Sequence, residues 1–329
     1  MRARTASLLA VLGMVLLALG LIYGTRPGEL TRDAPDGQPA FPGLAAALTQ
    51  ARQIVLLHHG ATLTVARQDA APEAMWTLPD HGFYPVQQDK VHALLSGLSE
   101  LRLDEPRTAA PADYARLGVE DPAGKDAEST LLRVLDAKGN SIAALILGHP
   151  QGSGVYVRRP DAAQSWLAAG HVDASSDAQD WLVHDIISVS PAGIAAVTVT
   201  RGTAQLRLTR QGDALTMSEP ADHPKLDSVK LDAVGRALDG LTFEDVRRAP
   251  APGTALGSSV FTTTDGSRIS VAVSKDGANL WATFDDAAAP QVQGWAYKLE
   301  AWREAGLLPT ADGLAAAEPA AGAPAAAGK

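Results

Sequence analysis

Two stretches of alternating residues, set 143 positions apart, constrain the fold of this chain more than any other feature. In the first, Ile54-Val55-Leu56-Leu57, the break His58-His59-Gly60 and Leu63-Thr64-Val65-Ala66-Arg67-Gln68 read as two strands of a hairpin. Val197-Thr198-Val199-Thr200, the break Arg201-Gly202 and Leu206-Arg207-Leu208-Thr209-Arg210-Gln211 repeat the pattern. A helical stripe follows each hairpin: Val91, Leu94, Leu95, Leu98 and Leu101 in the first copy, Leu231, Val234, Leu238 and Leu241 in the second. Each stripe leads to a second hairpin. Leu131–Leu135 turns through Asp136-Ala137-Lys138-Gly139-Asn140 into Ile142–Leu147, and Val260–Thr264 turns through Asp265-Gly266 into Ile269–Val273. Val155–Arg158 and Leu280–Phe284 supply one further strand each. Short turns between neighbouring strands make the pairing antiparallel, because a parallel pair needs a long crossover.

The N-terminus sets the compartment. No charged residue lies between Arg4 and Arg26, and as a helix that interval measures about 30 Å, the thickness of a bilayer's hydrocarbon core. Arg2 and Arg4 precede it and Glu29, Asp33 and Asp36 follow, so the positive-inside bias keeps the N-terminus in the cytoplasm and exports the rest. A cleaved leader delivers the body to the same place. The expected fold class is α+β: one N-terminal transmembrane helix, then two tandem repeated lobes, each a mainly antiparallel sheet covered by a helix.

The expected organisation is an anchor over residues 1–25, a Pro/Gly-rich tether over 26–50, lobes over 51–185 and 186–309, and a disordered Ala/Pro tail over 310–329. Ala45 to Gln50 fits one helical turn within the tether. Trp181-Leu182-Val183 and Ile186-Ile187 are apolar enough to pack where the lobes meet. A closing helix is expected over Gly294–Leu307, with Trp295, Leu299, Trp302 and Leu308 near one face and Pro309 as its stop.

Composition narrows the functions. Acidic side chains outnumber basic ones by 37 to 28, which disfavours nucleic acid as a partner. The absence of cysteine removes disulfides, thiolate nucleophiles and thiolate metal sites.

Further motifs resemble a known family. Trp76-Thr77-Leu78-Pro79, the amphipathic helix through Leu98, Tyr114-Ala115-Arg116-Leu117-Gly118-Val119-Glu120-Asp121-Pro122, Ile146-Leu147-Gly148 and Gly154-Val155-Tyr156-Val157-Arg158 resemble, in that order, the bacterial DUF4340 domain. The resemblance runs over roughly residues 54 to 305. It implies a single-pass envelope protein of unassigned activity that accompanies ABC-type export systems of the gliding-motility auxiliary kind, and it brings no functional residues with it. The second copy departs from the pattern, with no Tyr-x-x-Leu-Gly counterpart between Val246 and Ser258.

Chemistry-bearing side chains are scattered. Adjacent strand residues His58 and His59 point to opposite faces and suit a turn better than a shared ion. His184-Asp185 has the order of a catalytic dyad but lacks a nucleophile elbow. His81, His149, His171 and His223 stand alone in loop-like contexts. The glycine-rich run from Gly148 to Gly154 leads into a strand rather than a helix N-terminus, so it reads as a connection between strands, not a phosphate cradle. Asp104-Glu105, Glu120-Asp121 and Asp285-Asp286 read as solvated loop charges, and the six tryptophans as core filling.

No catalytic, cofactor-binding or metal-ligating residue is therefore assigned, and no cofactor is expected. The expected function is a non-enzymatic accessory or scaffold protein of the bacterial inner membrane. It contacts the lipid bilayer through residues 5–25, carries its bulk in the periplasm and meets membrane partners such as ABC permease subunits. A periplasmic binding module for glycan, lipid or peptide is the alternative, and a hydrolase a distant third.

Overall fold

The computed structural model describes residues 37–67 and 74–317. The expected anchor at residues 5–25, the start of the tether and the end of the tail lie outside the described residues. Among those described, no helix is long and apolar enough to cross a membrane.

Among the described residues, eighteen strands form two sheets. In the first are β1 (Gln38–Pro39), β2 (Gln53–His58), β3 (Ala61–Ala66), β4 (Thr77–Leu78), β5 (Tyr84–Pro85), β6 (Arg102–Pro106), β7 (Thr130–Leu135), β8 (Ser141–Gln151), β9 (Gly154–Arg158) and β10 (Ser165–Ala169). In the second are β11 (Ile194–Arg201), β12 (Ala204–Gln211), β13 (Ala214–Glu219), β14 (Asp245–Arg248), β15 (Thr254–Thr263), β16 (Arg268–Asp276), β17 (Asn279–Asp286) and β18 (Trp295–Leu299). The helices are α1 (Leu44–Ala47), α2 (Gln88–Glu100), α3 (Tyr114–Leu117), α4 (Ser228–Gly235), α5 (Glu304–Leu307) and α6 (Ala311–Leu314).

The first sheet runs β1-β6-β10-β9-β8-β7-β2-β3-β4-β5 and the second β13-β12-β11-β15-β16-β17-β18-β14, with antiparallel pairing throughout. Read from the opposite edge, the second order matches β6 through β4 of the first, strand for strand. In both, a helix sits between the third and fourth strands of the unit and carries the chain from one edge to the other.

The fold class is mainly β, which corrects the expected α+β arrangement of helix-covered lobes. Among the described residues only α2 is longer than eight residues. It buries Val91, Leu94 and Leu98, each contributing roughly 1.5–3 kcal/mol relative to an exposed position. The second stripe becomes helical only over Ser228–Gly235. The helix stops at its cap residue Arg236, and Leu238 and Leu241 reach the core from the turn and the irregular segment that follow.

The closing helix expected over Gly294–Leu307 is likewise corrected. Trp295, Tyr297 and Leu299 are buried on β18, which pairs with β17 on one side and β14 on the other, and only Glu304–Leu307 is helical. Ladder bonds on both sides outweigh a weak helical stripe.

The ends of the body are tied in. Gln38 of the expected tether pairs with Leu103, and Ala40 and Leu44 are buried. At the other end Leu314 is buried and the Ala316 amide donates to the Lys225 carbonyl.

The backs of the two sheets differ. In the first, the paired row Leu57, Leu131 and Ile146 is overlaid by Tyr114, Leu117 and Val119 of the segment between β6 and β7. The matching row of the second sheet is Thr200, Ser258, Ala272, Thr283 and Ala296. There the connection from β14 to β15 is only residues 249–253, and a groove of about 750 Å³ lies open over the sheet. Ser258, Ala272 and Thr283 of that row line the groove, and their small or hydroxyl-bearing side chains suit it to water without a cover.

Candidate functional site

Two places concentrate the titratable and aromatic side chains: the cover on the back of the first sheet and the joint between the sheets.

At the cover, Gly118 takes the left-handed conformation that ends α3 with φ of 65°. Gly148 lets the cover sit close, because a Cβ there would lie 2.3 Å from the Leu117 carbonyl oxygen. The Tyr114 hydroxyl donates to the Ala163 carbonyl at 2.6 Å. Arg158, buried on β9, donates from Nε to the Val119 carbonyl at 2.9 Å and holds its guanidinium 4.4 Å over the Tyr114 ring.

Beside the cover, Glu120 Oε1 accepts the amides of Glu128 and Ser129 at 2.6 and 3.3 Å. His149 Nε2 meets Glu128 Oε2 at 2.6 Å. His58 Nδ1 lies 2.9 Å from the Ser129 carbonyl and His59 Nδ1 2.8 Å from that of Lys125. The structure thus brings His58, His59, Glu120 and His149 to one end of the sheet, and each of these contacts fixes the loop over residues 119–129. Among the described residues no group of three or more His, Asp or Glu assembles as a metal set.

The family profile of a domain of unknown function, DUF4340, matches residues 76–257. The chain belongs to this family. No curated protein and no solved structure matches it. The DUF4340 match takes in the whole cover and the row beneath it from Leu131 on, and ends in β15. The Tyr-x-x-Leu-Gly element and the Gly-x-Tyr-Val-Arg strand therefore meet in space, as Tyr114 under Arg158, and form a packing device.

The joint was visible in the sequence only through Trp181 to Ile187. Trp181, Leu182, Ile186 and Ile187 are buried, and Gln87 on the first sheet's side donates to the Leu182 carbonyl at 2.9 Å. Tyr84 of β5 makes edge contacts with Trp295 at 4.8 Å and Phe243 at 5.8 Å, both from the second sheet's side. Its hydroxyl donates to the Val183 carbonyl at 3.0 Å.

Polar contacts frame this aromatic cluster. His81 Nε2 lies 3.3 Å from Asp245 Oδ1, and Arg248 donates to the Gly82 carbonyl at 3.0 Å while stacking 3.9 Å over Trp295. The hydrogen bond with His81 holds the Asp245 carboxyl below the usual aspartate range. Burial pushes the Tyr84 and Tyr297 hydroxyls above the usual tyrosine range.

The remaining candidates hold loops. His184 Nε2 bonds the Gln179 carbonyl at 2.7 Å and so turns to backbone rather than to Asp185. His223 Nδ1 lies 2.9 Å from the Pro224 carbonyl. The His171 carbonyl approaches Gly97, where a Cβ would lie 2.2 Å away. Glu105 pairs with Arg107 at 2.7 Å, Asp121 accepts the Ala123 amide, Asp285 accepts from Gln293, and Asp286 accepts the Ala288 amide. The run from Gly148 to Gly154 is a tight hairpin between β8 and β9. Trp76, Trp181, Trp281 and Trp295 are buried, whereas Trp302 stands 66% exposed.

Proposed function

We propose that this DUF4340 protein is a non-catalytic, extracytoplasmic accessory component of an ABC-type transport system, offering its partners a stiff two-sheet body at the membrane surface. The observation that carries this reading is the joint. Tyr84, Trp295 and Phe243 pack together, and Arg248 and Asp245 bond across from one sheet to the other, so contact points on the two sheets keep a fixed spacing.

The histidines and carboxylates beside the cover support the same reading, since their bonds go to loop backbone and to one another. The uncharged interval between Arg4 and Arg26, read as leader or as anchor, is the sequence feature that supports an extracytoplasmic position for this body. A body kept at the membrane meets membrane partners at high effective concentration.

The test is crosslinking in intact cells from residues on both sheets, followed by identification of the captured chains. Capture of ABC permease subunits is expected. Capture of no transporter subunit, or activity of a reporter fused near Lys329 only in the cytosol, would overturn the proposal.

A further inference from the structure

A groove of about 510 Å³ lies between α4 and the closing turns α5 and α6, away from both the cover and the joint. Ala233, Ala305, Leu308 and Leu314 make its apolar floor, and the exposed Trp302 forms one wall. A tryptophan left in water beside a concave apolar floor is uncommon in this molecule, because the other five are buried or half-buried.

The charges at this groove run against those of the whole chain. Arg201 and Lys230 line it, and its one carboxylate, Glu304, is shared between Arg201 at 3.1 Å and Lys275 at 3.7 Å. Arg201 and Lys275 thus hold this one anion, and Arg201 also donates to the Leu308 carbonyl at 2.6 Å. Lys230, whose Nζ donates to the Ala315 carbonyl at 2.8 Å, adds a further cation at the groove, in a protein whose net charge is −9. Arg201 also has a buried Nε without a hydrogen-bond partner. The volume lies within the range of small-molecule sites, which are mostly apolar with a few convergent polar groups.

We propose that this groove binds a single-chain amphiphile bearing one carboxylate, with its chain against Trp302 and Leu308 and its head drawn to Arg201 and Lys230. Concavity selects a slender chain over a bilayer surface, and the surplus positive charge selects an anionic head over a neutral or cationic one. The proposal is independent of any transport partner.

The probe is decanoate, titrated into the full-length chain kept free of detergent and followed by calorimetry and by the indole resonance of Trp302. Saturable binding at one site is expected. Decanol and decyltrimethylammonium should bind at least tenfold more weakly, and Lys230→Gln should weaken decanoate by roughly tenfold, the order expected for loss of one charge-assisted contact. Trp302→Ala should weaken it at least as much while the circular dichroism spectrum stays unchanged. No saturable uptake up to millimolar decanoate, or equal binding of decanol, overturns the proposal. So does adsorption to anionic vesicles that Trp302→Ala abolishes while decanoate uptake persists in that variant.

Discussion

Arg158 shows how much one buried side chain can hold. It is 9% exposed, and its donors go to the carbonyls of Val119 and Ala162 at 2.9 and 3.2 Å. Arg158→Met keeps an unbranched apolar stem but removes the guanidinium and leaves both carbonyls unpaired. A loss of about 1–3 kcal/mol is expected, measured as a lower urea midpoint with an unchanged slope. Asp245 belongs to the same scale. Its folded-state pKa lies below the ordinary 3.8, so its contribution is complete above that value and is lost as pH falls through the depressed one. Tyr84 works at the other end: its pKa is raised above the ordinary 10.0, so stability declines once pH exceeds that value. Thermal melts across pH should fall at both extremes, and Asp245→Asn should flatten the acid limb alone. Individual residues were only partly legible in the sequence. The glycine that ends α3 and the hairpin glycines show themselves by local chemistry. The pairing of Tyr114 with Arg158, and of His81 with Asp245, depends on tertiary approach between distant elements and leaves no local mark.

Among the elements, the close contact between β8 and α3 can be tested directly. Gly148→Ala would set a methyl 2.3 Å from the Leu117 carbonyl, so the cover must lift away from Leu131 and Ile146. A loss of about 1–3 kcal/mol is expected from such overpacking, with faster hydrogen exchange over residues 114–119 as the local readout. The central strands were readable because alternation and Asp-Gly or Gly-Asn turns mark them, as in β2, β3, β7, β8, β15 and β16. The outer strands β6 (Arg102–Pro106) and β14 (Asp245–Arg248) were not, since an edge or near-edge strand rich in charge carries no apolar period. The stripe Trp295, Leu299, Trp302 was misleading for a related reason. Trp295 and Leu299 also satisfy a period of two, and one of the two partners that decide between the readings, β14, lies about fifty residues upstream.

At the scale of the whole molecule, the joint makes both sheets unfold together. Trp295 is 6% exposed and touches both Tyr84 and the Arg248 guanidinium. Trp295→Ala should cost about 3–5 kcal/mol, and the single calorimetric transition expected of the native chain should divide into two as the sheets lose their coupling. The same joint bears on aggregation. A bare sheet edge is a template on which foreign strands can grow, and two separate sheets would offer four. Here β5 and β14 are turned toward one another, which leaves β1 and β13 outermost. The first is two residues long and contains Pro39, which has no amide hydrogen to donate, and the second stops at Glu219 just before Pro220. The arrangement that fastens the sheets together therefore also guards the chain against seeding fibres at high local density.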